Sequence, residues 1–320
     1  MIYDLIIIGG GPAGVAAGVY AGRKRLKTLL ITEEFGGQSL LSDDIQNWIG
    51  TKSISGFDLA QNLEAHVRGQ ETVEVKMPSR AAKVEENGKT FAVTTGKGEK
   101  FEAKTLVVAA GARRRRLGVP GEANLEGKGV VFCSTCDAPL FPDKTVAVVG
   151  GGNAALEAVV DLFPYAKKIY LLVRGNALRG DQITQEKVKM SDKVEIMFNT
   201  EVEEVKGDAF VSGVVRKNNK TNETKELPLE GLFIEIGSKP NSEIVKGLVE
   251  LNAAGEIVLD HHRGATSHPG VFAAGDITDE MYKQNNISAG DGITAALSAY
   301  NYLLERDHKS PAAESTNGLE

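Results

Sequence analysis

At 320 residues the chain is long for one domain and ample for two hydrophobic cores. Hydrophobic residues make up 42% and charged residues 25%, as in ordinary globular proteins, and a net charge of −6 gives no electrostatic case for nucleic acid or an anionic membrane. No apolar run approaches the ~18 residues of a membrane helix, so a cytoplasmic protein with no membrane partner is expected.

The chain opens on an apolar run, Leu5 to Ile8, that lacks the basic start of a signal segment and enters Gly9-Gly10-Gly11-Pro12-Ala13-Gly14 directly. It reads as a buried strand, followed by an Ala-rich helix to about Arg23 and a second strand from Thr28 to Thr32. The same order returns further on. Thr145 to Val149 enters Gly150-Gly151-Gly152-Asn153-Ala154-Ala155, with a helix to about Phe163 and a strand from Lys168 to Val173.

Glycine suits these turns for physical reasons. Gly9 and Gly150 permit the tight bend, Gly11 and Gly152 let backbone approach a pyrophosphate, and Gly14 or Ala155 lets helix and strand pack closely. Phosphates then meet free N–H groups at a helix N-terminus. One Gly-x-Gly-x-x-Gly is weak evidence, but strand, turn and helix seen twice predict two nucleotide sites. At the end of the first unit Glu33 is a candidate acceptor for ribose hydroxyls; alternatively Thr32 occupies the strand end and Glu33 is a solvated acid. The second unit ends in Val173-Arg174-Gly175 and Arg179 without an acid. Guanidinium groups there suit a 2′-phosphate, which favours NADPH over NADH.

Between the units run Gly36-Gly37-Gln38, a loop through Asn47, a β-rich stretch from Val73 to Lys104 and a buried strand ending at Gly111. Pro/Gly junctions at Gly118–Gly121 and Gly237–Pro240 flank the second unit and are candidate hinges. Beyond them Gly270 to Asp276 forms another buried strand ending in an acid, and Ser288 to Gly292 is read as the opening of the last long helix. The expected fold is α/β, with two Rossmann-like three-layer domains, the second inserted in the first. Residues 1–115 with 246–320 form one domain and 116–245 the insert. The tail beyond Ser310 is expected to be disordered.

The only two cysteines, Cys133 and Cys136, lie just before the second unit. Their spacing closes a small disulfide ring and lowers the pKa of an attacking thiol; the alternative is two buried structural cysteines. Zinc needs two further soft ligands, and the five histidines show no paired spacing, so no metal is expected. The run Arg113 to Arg116 is either a solvated linker or a docking site for an acidic partner or phosphate.

Gly9 to Gly14, Gly36-Gly37-Gln38, Cys133-Ser134-Thr135-Cys136-Asp137, the second Gly-rich turn and Ala273-Ala274-Gly275-Asp276 stand in one order. In that order the chain resembles the low-molecular-weight thioredoxin reductases over roughly residues 1–305. It also resembles the reductase core of the alkyl hydroperoxide reductase flavoprotein subunit, notably in Cys136 to Phe141. The resemblance implies FAD in the discontinuous domain, a nicotinamide nucleotide in the insert, and a homodimer. Gly9, Gly11, Gly14, Gly37, Gln38, Asn47, Asp276 and Gln284 fall on the family's flavin-contacting positions. Pro12, Ala13, Gly111 and Gly275 are placed with them, and Asn153 with the nicotinamide nucleotide. The resemblance also implies that Cys136 is nearer the flavin, that Cys133 attacks the external disulfide, and that Asp137 protonates the departing thiolate.

The implied activity is transfer of electrons from NADPH through FAD and Cys133–Cys136 to thioredoxin or a similar protein disulfide, including a glutaredoxin-like one, with any disulfide carrier supplied in trans. Where the family's NADPH-using members carry His-Arg-Arg-x-x-x-Arg, this chain has Val173-Arg174-Gly175-x-x-x-Arg179. That departure leaves open another donor, such as ferredoxin, or a dithiol oxidase. A non-catalytic flavoprotein sensor or assembly partner is the reading outside enzymes; the intact Cys-x-x-Cys-Asp argues against it.

Overall fold

The computed structural model describes residues 1–42 and 44–308; the tail beyond Ser310 lies outside them. The chain divides into two compact units, one formed by residues 1–113 with the chain from Lys239, the other by Arg114–Ser238. The second crossing falls seven residues before the position read from the sequence. The reason is that Ser242–Val245 forms a 3₁₀ turn, and Val245 is fully buried in the first unit's core with Val249 and Ile257.

In the first unit β1 (Ile2–Ile8), α1 (Pro12–Arg23) and β2 (Thr28–Ile31) are followed by α2 (Gly56–Arg68), β3 (Val73–Lys76), β4 (Ala81–Asn87), β5 (Thr90–Thr95) and β6 (Lys100–Val108). Strands β3-β2-β1-β6 pair in parallel, with Ile6 between Leu29 and Leu106. Leu5 to Ile8 is apolar throughout because a strand in such a sheet is covered on both faces, and Ile8, the most exposed of the four, is 3% exposed. Strands β5 and β4 extend the sheet antiparallel.

The chain crosses through β7 (Ala112–Arg114) into the second unit. There follow β8 (Val130–Val131), α3 (Ser134–Asp137), β9 (Thr145–Val149), α4 (Asn153–Leu162), β10 (Lys168–Val173), α5 (Gln182–Met190) and β11 (Val194–Phe198). Then come β12 (Thr200–Gly207), β13 (Val211–Asn218), β14 (Thr224–Pro228) and β15 (Gly231–Ile234). Strands β11-β10-β9-β15-β8 make a parallel sheet. One face of it carries α4 through Leu156, Val159 and Leu162, and the other carries the antiparallel β12-β13-β14 layer through Val205, Val214 and Leu227. This is the three-layer arrangement expected of each domain.

The chain returns through β16 (Ser238–Pro240), which pairs with β7, and reaches β17 (Val271–Ala273) and α6 (Asn285–His308). Strand β17 pairs in parallel with the second half of β6, whose first half is already paired with β5. A single strand edge thereby joins two distant pieces of chain. Helix α6 begins three residues before the expected Ser288. It packs on α1 through small residues: Ala13 and Ala17 share a core with Ala295, Ala296 and Ala299. The approach is close enough that a Cβ on Gly292 would lie 2.0 Å from the carbonyl oxygen of Ala13.

Gly292→Ala must push α1 and α6 apart, at a cost of about 1–3 kcal/mol. Thermal unfolding should show a lower midpoint for Gly292→Ala. In the ligand-free chain Gly11→Ala should match the parent, because a Cβ there meets nothing within 4 Å and its φ is −74°.

Candidate functional site

In the first unit the Gly-rich turn sits at the C-terminal end of β1, flanked by β2 and β6. Gly9 has φ +119°, and its missing Cβ would fall 2.2 Å from the carbonyl oxygen of Ala109. Gly14 is held as tightly, its missing Cβ 1.9 Å from the oxygen of Gly9. Gly11 faces open space, and no side chain caps α1, which begins with Pro12. An open glycine and uncapped helical N–H groups fit a phosphate.

Other sequence-predicted positions gather at this turn. A Cβ on Gly37 would lie 3.6 Å from the Cα of Gly11, and one on Gly275 would lie 3.1 Å from the Cβ of Ala13. Gln38 Nε2 donates to Asp276 Oδ2 at 3.1 Å, and Ser288 Oγ donates to Oδ1 at 3.3 Å. Asn47 Nδ2 donates to Gln284 Oε1 at 3.2 Å. Ser39 to Asn285 (3.1 Å) and Asn286 to the Asn47 carbonyl (2.7 Å) reinforce the same seam, and the sequence reading missed them. Glu33 and Gly111 have their contacts elsewhere. Glu33 is exposed, 3.9 Å from Arg80, while Thr32 is buried and its hydroxyl donates to the Glu34 carbonyl. Gly111 accepts the N–H of Asn241 beside the crossing strands.

The second turn repeats the first at the end of β9. Gly150 has φ +151°, with its missing Cβ 2.4 Å from the Glu235 carbonyl oxygen. Gly152 faces open space, α4 is uncapped, and Ala155 is fully buried. Asn153 Oδ1 accepts the N–H of Asp181, and the N–H of Arg179 donates to Gly151, both at 2.7 Å; these bonds tie the loop after β10 to the turn. Arg174 is exposed at the end of β10, 3.9 Å from Glu201 of β12. The sequence segment after β10 holds no acid near Arg174; the fold brings one from another strand.

Cys133 and Cys136 form a disulfide within the second unit, with Cα atoms 5.3 Å apart. Cys133 Sγ accepts the N–H of Cys136 at 3.3 Å, and the Cys133 carbonyl accepts that of Asp137 at 3.0 Å. Ser134, inside the ring, is held twice. Its N–H donates to Glu235 Oε1 at 3.3 Å and its hydroxyl to Asp161 Oδ2 at 2.8 Å. Burial pushes the Asp137 carboxyl up to about 6 against the opposing pull of Arg114. Burial likewise pushes Glu235 up to about 7, again opposed by Arg114 and by the Ser134 N–H. Glu235 and Asp161 were invisible to motif reading because they reach the pair from just beyond β15 and from α4, 101 and 27 positions from Ser134.

The arginine run splits between the two units. Arg113 bonds Asn241 and Glu243, and Arg116 makes a bidentate pair with Glu126 and stacks on Phe132. Arg114 faces Asp137 and Glu235 electrostatically. Three of the four thus have partners within their own unit. No group of three His, Cys, Asp or Glu able to hold a metal occurs among the described residues, and no helix among them is long and apolar enough to cross a membrane.

Residues 3–294 match the pyridine nucleotide-disulphide oxidoreductase family. Over 306 residues the chain is 44% identical to the Pseudomonas aeruginosa alkyl hydroperoxide reductase subunit, covering 94% of this chain and 58% of that protein. It is 41% identical over 302 residues to a Bacillus subtilis protein named NADH dehydrogenase, covering 94% and 59%. It therefore spans under two thirds of the length of these curated relatives. Among solved structures, thioredoxin reductase from Streptococcus pyogenes is 36% identical with TM-score 0.89, covering 95% of this chain and 99% of that one. Thioredoxin reductase from Giardia duodenalis is 34% identical with TM-score 0.89, covering 94% and 99%.

Glu235 is protonated more readily in the folded chain than its ordinary value of 4.5. The stability this contributes is complete below about pH 4.5 and is lost as pH rises through 7, on the order of 3 kcal/mol in all. Glu235→Gln should therefore melt at a higher temperature than the parent chain at pH 8, and the difference should vanish near pH 4.5. Equal melting temperatures at both pH values would remove the buried charge from the account.

Proposed function

The chain belongs to the pyridine nucleotide-disulphide oxidoreductase family and is an FAD-dependent oxidoreductase, and on that premise we propose that it reduces a protein disulfide of the thioredoxin or glutaredoxin kind with electrons from NADPH. The observation that carries this reading is the Cys133–Cys136 disulfide with the Asp137 carboxyl, raised to about 6, beside it. FAD, when bound, supplies a two-electron relay between a nicotinamide hydride and the disulfide.

In this reading the first turn, Gly9 to Gly14, receives the FAD pyrophosphate on the uncapped α1. Asp276, oriented by Gln38 and Ser288, accepts ribityl hydroxyls, and Asn47 and Gln284 brace one another beside it. The second turn, at Gly150 to Ala155, receives the nicotinamide nucleotide, with Arg174 and Arg179 available to a 2′-phosphate. Once the pair is reduced, Cys133 attacks the partner's disulfide and a mixed disulfide forms. Asp137, held near neutrality by burial, gives its proton to the departing partner thiolate, and Cys136 resolves the mixed disulfide. The redox residues and the second nucleotide turn belong to the unit 114–238, so a homodimer formed through the other unit leaves them complete.

A second reading concerns the donor. Glu201 stands 3.9 Å from Arg174 and competes with a 2′-phosphate for that guanidinium. This favours NADH, the nucleotide in the name of the Bacillus subtilis relative.

Anaerobic titration of the purified flavoprotein decides between these readings. Rapid bleaching of flavin absorbance by NADPH supports the first, and selective bleaching by NADH supports the second. Failure with both, while dithionite still reduces the flavin, would exclude both donors. Asp137→Asn should lower disulfide-reducing turnover by about 10²–10⁴-fold. Flavin bleaching by the nucleotide should persist in that variant, as read by stopped-flow absorbance.

A further inference from the structure

The internal repeat shows that the Gly-rich turn does not require a carboxyl at the position of Glu235. Its counterpart in the first unit is Ala109. Each donates its N–H to the last residue of the central strand, Ala109 to Ile8 at 2.8 Å and Glu235 to Val149 at 2.9 Å. Each also sets its carbonyl oxygen where the Cβ of the first turn glycine would be. Both tasks are performed by backbone, and alanine meets them in the first unit. A carboxyl at this buried place, 9% exposed, serves something else.

What it serves is visible in the hydrogen bond its carboxyl accepts from the N–H of Ser134, inside the Cys-x-x-Cys ring. The charged groups that face it are Arg114 on β7, Asp137 on α3 and Asp161 on α4. Asp161 is already engaged by the Ser134 hydroxyl, and Asp137 follows Cys136 directly in the chain.

We infer that Glu235 is a proton-holding positioning residue of the redox centre: it anchors Ser134 and takes up a proton when the Cys133–Cys136 bond is opened. The inference rests on the redox role proposed above for that pair. Opening the S–S bond takes two electrons, supplied in the enzyme's reaction by the reduced nucleotide. One sulfur binds a proton and becomes a thiol while the other remains a thiolate. A second proton, from solvent, settles on the Glu235 carboxylate. The charge around the pair is then the same before and after reduction, and no additional anion is created in a buried site, where it would be most unfavourable. A carboxyl poised near neutrality suits this exchange.

The test uses the full-chain flavoprotein equilibrated with dithiothreitol and its oxidised form, so it does not depend on any nucleotide. The open fraction of Cys133–Cys136 is read by acid quench, alkylation and mass measurement between pH 7.5 and 8.5, where the Glu235 carboxyl is mostly ionised before the bond opens. Oxidation of dithiothreitol releases two protons. If the protein takes up two, the equilibrium constant is independent of pH. Glu235→Gln keeps an acceptor for Ser134 but cannot hold the proton, so its constant should rise about tenfold per pH unit. Glu235→Asp should restore much of the flat profile, which a merely structural role would not explain.

Equal slopes in the parent chain and Glu235→Gln overturn the role of Glu235 and leave the proposed activity standing. A pair that dithiothreitol cannot open overturns both. Should Glu235→Gln fail to fold, infrared difference spectra at pH 8 decide the matter in Asp137→Asn. A protonated-carboxyl band that grows on reduction supports Glu235, and its absence overturns it.

Discussion

In each unit a backbone carbonyl at the end of one strand occupies the space that a Cβ on the first turn glycine would need. The oxygen of Ala109 stands there for Gly9, and that of Glu235 for Gly150. Because the first turn residue has no side chain, the chain can leave the central strand, turn over its neighbour and enter a helix without a gap in the sheet. The following open glycine and the uncapped helix then present bare N–H groups at the C-terminal end of the central strand. Both Gly-rich turns derive from this one steric arrangement, and the two units differ chiefly in what is built around it.

In the first unit the surroundings come from a chain that leaves and returns. Strand β17 takes the half-edge of β6 that β5 leaves unpaired, which brings Gly275 and Asp276 to the turn made by residues 9–14. Helix α6 can then lie against α1 only because both present Gly and Ala on the shared face. The hydrogen bonds Gln38–Asp276 and Asn47–Gln284 close the seam between pieces of chain more than two hundred residues apart. An apolar α1–α6 contact with larger side chains would hold the helices further apart and carry Asp276 away from Gln38.

How much of this was legible in the sequence depended on range. The strand–turn–helix units could be read because glycine spacing and apolar runs are local signals, and the bounds of α1 and β10 agree with that reading. The Cys-x-x-Cys pair was legible for the same reason, and its disulfide closes as its spacing implies. Contacts set by the fold were not legible. Glu201 reaches Arg174 from β12, so the absence of an acid in the segment after β10 did not mean the absence of one near the arginine. The arginine run looked like one feature but divides at the crossing, where Arg113 finds Asn241 and Glu243 while Arg116 finds Glu126. Adjacent residues on an extended strand point to opposite sides, so four like charges in sequence need not form one patch in space.

The surroundings of Cys133 and Cys136 show what a buried acid at a strand end can do that an acid on the short cysteine helix cannot. Asp137 follows Cys136 directly, so its carboxyl moves with the cysteine helix. Glu235 is fixed by the parallel sheet: its N–H is bonded to Val149 and its carbonyl is packed against Gly150. Its carboxyl is therefore placed against the Ser134 N–H by the same backbone that shapes the second Gly-rich turn. Asp161 also fixes Ser134, through the serine hydroxyl, from α4, the helix that this turn initiates. The geometry of the cysteine ring is thus referred to the framework of the second Gly-rich turn at two points, by a strand end and by a helix. Such anchoring keeps the ring in register with that framework.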